Sequence, residues 1–114
     1  MAFGTRVRFE ELRELAFGGI GAAYVAVGGA TNDHTRLVTF NNTTDTDLYI
    51  STNGVTNHLR VASRSGKVFD LTTNKVRDDG YFVDKGTVFY VKRTAGAPSS
   101  GLLWIEVMYA DGGV

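Results

Sequence analysis

The chain has no cysteine, a single proline and no surplus charge of either sign. Without cysteine there is no disulfide framework and no thiolate metal site. Lysine plus arginine number 12, and so do aspartate plus glutamate, which leaves a formal net charge of zero. A duplex-binding domain draws much of its affinity from a basic excess that neutralises phosphates, so no nucleic-acid partner is expected. Long apolar runs are also missing: no stretch approaches the roughly 20 residues that span a bilayer. The start, Met1-Ala2-Phe3-Gly4-Thr5-Arg6, lacks the charged n-region and apolar h-region of a secretory signal. The expectation is a soluble protein with no membrane partner that does not leave by the general export route. Zero net charge is a solubility hazard for a free monomer and is better tolerated inside an assembly.

What the sequence does have is short apolar runs separated by turn residues. At 114 residues it is long enough for one domain with a two-layer core and no staples. Arg36 to Thr52 is the stretch around which the rest is arranged. Leu37–Phe40 and Leu48–Ile50 flank Asn41-Asn42-Thr43-Thr44-Asp45-Thr46-Asp47, and this reads as a β-hairpin with a long polar connection. Further strands are expected at Tyr24–Val27, weakly at Leu59 and Val61, at Lys67–Leu71, at Tyr81–Val83, at Thr87–Lys92 and at Leu102–Tyr109. In the last of these Leu103, Ile105 and Val107 should point inward, with Trp104, Glu106 and Met108 on the opposite face. Asn53-Gly54, Asp79-Gly80 and Lys85-Gly86 mark turns, and Ala95–Gly101 is the longest flexible-looking loop.

One piece reads as a helix. In Glu10–Phe17 the apolar Leu12, Leu15 and Ala16 fall at i, i+3 and i+4, opposite Glu10, Glu11, Arg13 and Glu14. Eight residues are too few to stand alone, so the segment must dock, or else be an irregular strand. The domain reading is an N-terminal arm over 1–23, a β-sandwich over 24–110 and a tail over 111–114. Eight or nine short strands about ten residues apart argue for an all-β, antiparallel sandwich or barrel.

Chemistry-bearing patterns are sparse. Gly18-Gly19-Ile20-Gly21 follows the helix-like piece and precedes a strand, the reverse of a phosphate-cradling loop, and reads as a stop and flexible joint. His34 and His58 sit in separate polar loops without metal-ligand spacing. Asp45-Thr46-Asp47 and Asp78-Asp79-Gly80 do not follow a calcium loop and read as turn aspartates. Ser63-Arg64-Ser65-Gly66 lacks a nucleophile elbow. The overlapping N-x-T acceptors in Asn41-Asn42-Thr43-Thr44 read as turn residues in the absence of a secretory signal. No catalytic residue, metal or cofactor is expected, and the chain does not read as an enzyme. The remaining signal is outward aromatics: Tyr49 alternates with Leu48 and Ile50, and Trp104 with Leu103 and Ile105. Such rings serve as sugar platforms or as protein–protein anchors.

The succession Tyr24-Val25-Ala26-Val27-Gly28, Arg36 to Asp45, Asp47 to His58, Lys85 to Lys92 and the Gly96–Gly101 loop into the last strand resembles small virion proteins of tailed bacteriophages. It spans roughly Tyr24 to Tyr109, in a pattern of strands and turns. The resemblance implies a jelly-roll-like sandwich that decorates or cements the capsid shell, or sits at the head–tail junction. It carries over no functional residues. With it come expectations of localisation in the virion after synthesis in the host bacterial cytoplasm. The expected partners are the major capsid protein or other virion subunits, with a homo-oligomer in the particle. Adhesion would then be the mechanism. The segment Phe3–Phe17 is expected to reach a neighbour through apolar Phe3, Phe9, Leu12 and Leu15 rimmed by Arg6, Arg8 and Arg13, with Tyr49 and Trp104 as further contacts. A collar or tail adaptor, or a carbohydrate-binding module using Tyr49, Trp104 or Tyr81, stands as the alternative.

Overall fold

The computed structural model describes residues 6–71 and 83–111, with side chains from residue 8 to 71 and from 83 to 109. Phe3, the Asp78-Asp79-Gly80 turn, Tyr81 and the tail beyond Asp111 lie outside the described residues, and Arg6 is described only as backbone.

Strands are β1 (Arg6–Phe9), β2 (Arg13–Ala16), β3 (Val25–Ala26), β4 (Thr35–Asn42), β5 (Leu48–Ser51), β6 (Leu59–Val61), β7 (Ser65–Asp70), β8 (Tyr90–Arg93) and β9 (Leu102–Asp111). They form two sheets in which every pairing is antiparallel. The first runs β1-β9-β4-β7, with β2 sharing the β1 side of β9; the second runs β3-β8-β5-β6. If β1 and β2 are counted as one interrupted strand, each sheet has four strands and the chain crosses between the sheets in the jelly-roll order. The fold is therefore all-β, an antiparallel jelly-roll sandwich.

The core explains the pattern. Along β9, Leu103, Ile105 and Val107 are buried, and along β5 Leu48 and Ile50 are buried, each set spaced by two as a pleated strand requires. Val38 and Phe40 meet them from β4, and Val61, Phe89 and Val91 from the second sheet. Phe40 stacks edge-on against both Phe69 and Phe89, with centroids 6.0 and 5.6 Å away.

Two expectations are corrected. The first concerns Leu37–Phe40 and Leu48–Ile50, which do not form a hairpin. β4 pairs with β7 and β9, and β5 pairs with β6 and β8, so both edges of each strand are already taken. Residues 43–47 instead carry the chain from one sheet to the other. This arch is held by buried Asn42, whose Nδ2 donates to the carbonyls of Thr46 (2.9 Å), Val61 (3.1 Å) and Ala62 (3.2 Å). The Asn42 Oδ1 accepts from the Thr44 N–H at 2.9 Å and the Thr44 hydroxyl at 2.6 Å.

The second correction concerns Glu10–Phe17, where the strand alternative holds and the helix does not. Arg13–Ala16 is strand β2 and Phe17–Gly19 a 3-10 turn. β9 offers an open edge, and β2 takes it in the register Arg13↔Ile105 through Ala16↔Leu102. Pairing on that edge satisfies backbone groups that an eight-residue helix would leave orphaned. The period switches to two, with Arg13 and Leu15 inward and Glu14 and Ala16 outward, and Leu15 packs on the core. The stretch read as a separate arm thus contributes β1 and β2 to the first sheet.

The Ala95–Gly101 loop is pinned. Pro98 is buried, Ser99 donates its N–H (2.9 Å) and its hydroxyl to Asp45, and Gly101 lies against the arch. At φ +85° a Cβ on Gly101 would stand 2.2 Å from the Thr43 carbonyl oxygen, so that approach needs glycine.

Candidate functional site

The sandwich has two outer faces, and the outward aromatics are divided between them. On the first sheet Phe9 lies opposite Met108, and Leu37 is paired with Met108 on the other side. Trp104 is flanked by Glu14 of β2 and Asn41 of β4. Glu106 accepts a 2.8 Å hydrogen bond from the Thr39 hydroxyl. Phe9 is 71% exposed and Val68, opposite Thr39, is 65% exposed. The result is a broad face of apolar side chains and carboxylates, with Arg64 beside Trp104 and Asn41 at one end.

The second sheet presents a different surface. Tyr49 is paired with Lys92 on one side and Arg60 on the other. The Lys92 Nζ stands 4.8 Å from the ring centroid of Tyr24 and 5.8 Å from that of Tyr49, so two π-faces hold one ammonium. The Tyr24 hydroxyl is hydrogen-bonded to Asn57 Oδ1 at 2.5 Å. Partial burial, and then the neighbouring Tyr49, raise its phenol above the ordinary value. Arg60 bonds Asp47 at 2.7 Å. The loop 52–57 covers the Tyr90 ring through Gly54, whose backbone adopts φ +76°, and exposes Val55.

The residues named from sequence as contacts fall into three groups. Phe9 and Trp104 share the first outer face, and Leu12 is exposed in the β1–β2 connection, beside the 28–32 loop. Tyr49 faces away from them on the second sheet, so Tyr49 and Trp104 cannot form one platform. Arg13 and Leu15 point inward. Arg13 is 7% exposed: its guanidinium bonds Glu10 at 2.8 Å and reaches the carbonyls of Glu11, Gly29 and Ala30. Glu10 in turn accepts from the backbone N–H groups of Asn32 and Asp33, both at 3.1 Å. Arg13 is therefore an internal strut and no longer belongs to an interface rim. Arg8 is exposed on β1. The residues that sequence reading missed are Tyr24 and Lys92. Lys92 alternates outward with Tyr90 in the Thr87–Lys92 run, a signal that was present, but its pairing with Tyr49 depends on register between distant strands.

The turn aspartates are occupied by the fold. Asp47 accepts from the Ser63 N–H at 2.8 Å as well as from Arg60, and the Arg60 bond, followed by that backbone bond, lowers its pKa. Asp45 is lowered by its side-chain and then its backbone bond with Ser99. His58 Nδ1 accepts from the Thr52 N–H (3.1 Å) and His34 Nδ1 from the Lys85 N–H (3.2 Å). Among the described residues no group of three or more His, Cys, Asp or Glu side chains could hold a metal ion. No helix among the described residues is long and apolar enough to cross a membrane.

The chain matches no protein-family model, no curated protein and no solved structure. The class that the fold defines is the double-sheet jelly roll, and any functional reading must come from its faces.

Proposed function

We propose that the chain is a non-enzymatic structural subunit of a virion, bound to the capsid shell as a decoration or cement protein through one of its outer faces. The observation that carries this reading is the first sheet's outer face, where Phe9, Leu37, Val68, Trp104 and Met108 lie in adjacent register rows. Scattered surface hydrophobics are ordinary, but a contiguous apolar sheet face marks a contact surface. The jelly-roll strand order supports the same reading, since this architecture is common among capsid subunits, though it also hosts lectins. Burial of apolar area would supply the adhesion at about 25 cal/mol per Å² before association costs.

The test is to purify particles from cells carrying the coding sequence, quantify the chain by mass spectrometry and locate it by single-particle reconstruction. On the order of hundreds of copies spread over the shell is the expected result. About a dozen copies at the head–tail junction would move the protein to the connector reading, and absence from particles would overturn both.

A carbohydrate-binding reading is favoured by the second face, where two tyrosines and a lysine cluster as in a sugar platform. Glycan-array binding lost in Tyr49→Ala but retained in Trp104→Ala would favour it, because the two rings stand on opposite faces.

A further inference from the structure

Between the sheets lies a cavity that neither outer face uses. It measures about 250 Å³, and its lining is almost wholly apolar. Val38, Phe40 and Phe89 form the floor, each no more than 3% exposed. Half-buried Leu59, Phe69, Leu71 and Val83 make the walls. The two polar lining residues, Thr52 and His58, are exposed, which puts them at the mouth. Edge-on packing of Phe69 and Phe89 against Phe40 fixes the three rings. Native cores contain few voids larger than a water molecule, so one of this size among packed rings is a place for a ligand. Apolar walls make it a poor home for water and a good one for a hydrocarbon body.

His58 defines one end of that ligand. Its Nδ1 accepts the Thr52 N–H at 3.1 Å and lies 3.3 Å from the Thr52 hydroxyl. In the neutral ring the proton therefore sits on Nε2, a donor with no hydrogen bond among the described residues. We propose that the cavity binds a small carboxylic acid, with its apolar body against Phe40, Phe89 and Leu59 and its carboxylate at the mouth, accepting from His58 Nε2. An ammonium head would face the same donor, and a plain hydrocarbon would leave that donor unused; an acceptor-only carboxylate suits it. Volume sets the size. A cavity of roughly 150 Å³ holds benzene, so this one takes about ten non-hydrogen atoms, the size of octanoate. The site is internal and leaves the first outer face free for the shell. Its failure would leave the particle reading untouched.

Titration of the purified chain with hexanoate, octanoate and decanoate, followed by calorimetry and amide NMR shifts, tests it. Octanoate should bind saturably, one molecule per chain. Affinity should climb roughly fourfold per methylene up to about eight carbons and then level off, since a longer tail outgrows the cavity. Leu59→Trp and Val83→Phe fill the space from two different walls, and each should lower octanoate affinity at least tenfold. Where one of them fails to unfold cooperatively, the other and the chain-length series decide. His58→Ala should weaken octanoate about tenfold yet leave binding of toluene unchanged, a split that general loosening would not produce. No saturable binding at millimolar octanoate would overturn the proposal. So would affinity that keeps rising through decanoate and ignores the wall substitutions, which is adsorption to an outer face. Binding gained only in Phe82→Ala would do the same, because the chain's own side chain would then be the occupant.

Discussion

At Asn42 one amide does what a longer connection would otherwise need. It is almost fully buried, and its five hydrogen bonds fix the arch that moves the chain from one sheet to the other. Asn42→Ala would leave three carbonyls and the Thr44 donors without that partner, at a cost of about 2–3 kcal/mol. Thermal unfolding should show a midpoint lower by roughly 10 °C. The neighbouring aspartates set a pH dependence. Because Asp45 and Asp47 titrate below their ordinary value when folded, the unfolded chain binds more protons in the acid range and stability there rises with pH. Their contribution is complete above the ordinary carboxylate value of 3.8 and is lost as pH falls through the lowered folded values. Denaturant midpoints measured between roughly pH 2 and 6 should therefore fall on acidification, and the double variant Asp45→Asn, Asp47→Asn should show a flatter acid limb.

At the level of elements, β2 depends on an ion pair more than on its own propensity. Glu10 and Arg13 have side chains only 5% and 8% exposed, and together they tie the β1–β2 corner to the 28–33 loop. Arg13→Met would leave a buried carboxylate with only backbone donors, and a destabilisation of about 3–5 kcal/mol is expected. Adding Glu10→Gln should recover much of the loss, and a double-mutant cycle of unfolding free energies measures it. This pair also shows where the sequence was legible. The alternation in Leu102–Tyr109 and in Leu48–Ile50 announced which residues would be buried, because a half-buried strand writes its period of two directly into the chain. Glu10–Phe17 misled because Leu12, Leu15 and Ala16 satisfy a helical spacing while Arg13 and Leu15 satisfy a strand spacing. The free edge of β9, about 90 residues away, decided between them, and local sequence does not carry that information. The expected hairpin failed for the same reason: two adjacent strands joined by polar residues look alike whether they pair or cross between sheets. Division of Tyr49 and Trp104 between the two faces then followed from sheet assignment, which no local pattern encodes.

Over the whole molecule, the ends of the chain are laced together. β1 and β2 pair with β9, so the N-terminal segment closes the first sheet in addition to exposing Phe9 and Leu12. Removing residues 2–17 would strip both strands from β9, uncover Leu103 and Ile105 along the side where Leu15 and Arg13 now lie, and leave a long unpaired edge. The expected product is an aggregation-prone chain that binds a hydrophobic dye, and loss of particle binding by such a truncation would say nothing about an arm. Point substitutions separate the two roles. Phe9 is 71% exposed, so Phe9→Ser should change unfolding free energy by no more than about 0.5 kcal/mol. If the first outer face is the contact surface, the same substitution should still reduce binding to particles measured by co-sedimentation. An unfolded Phe9→Ser variant would mean that β1 needs this ring for closure, whereas a stable variant that binds as well as the parent would remove the first face from the contact.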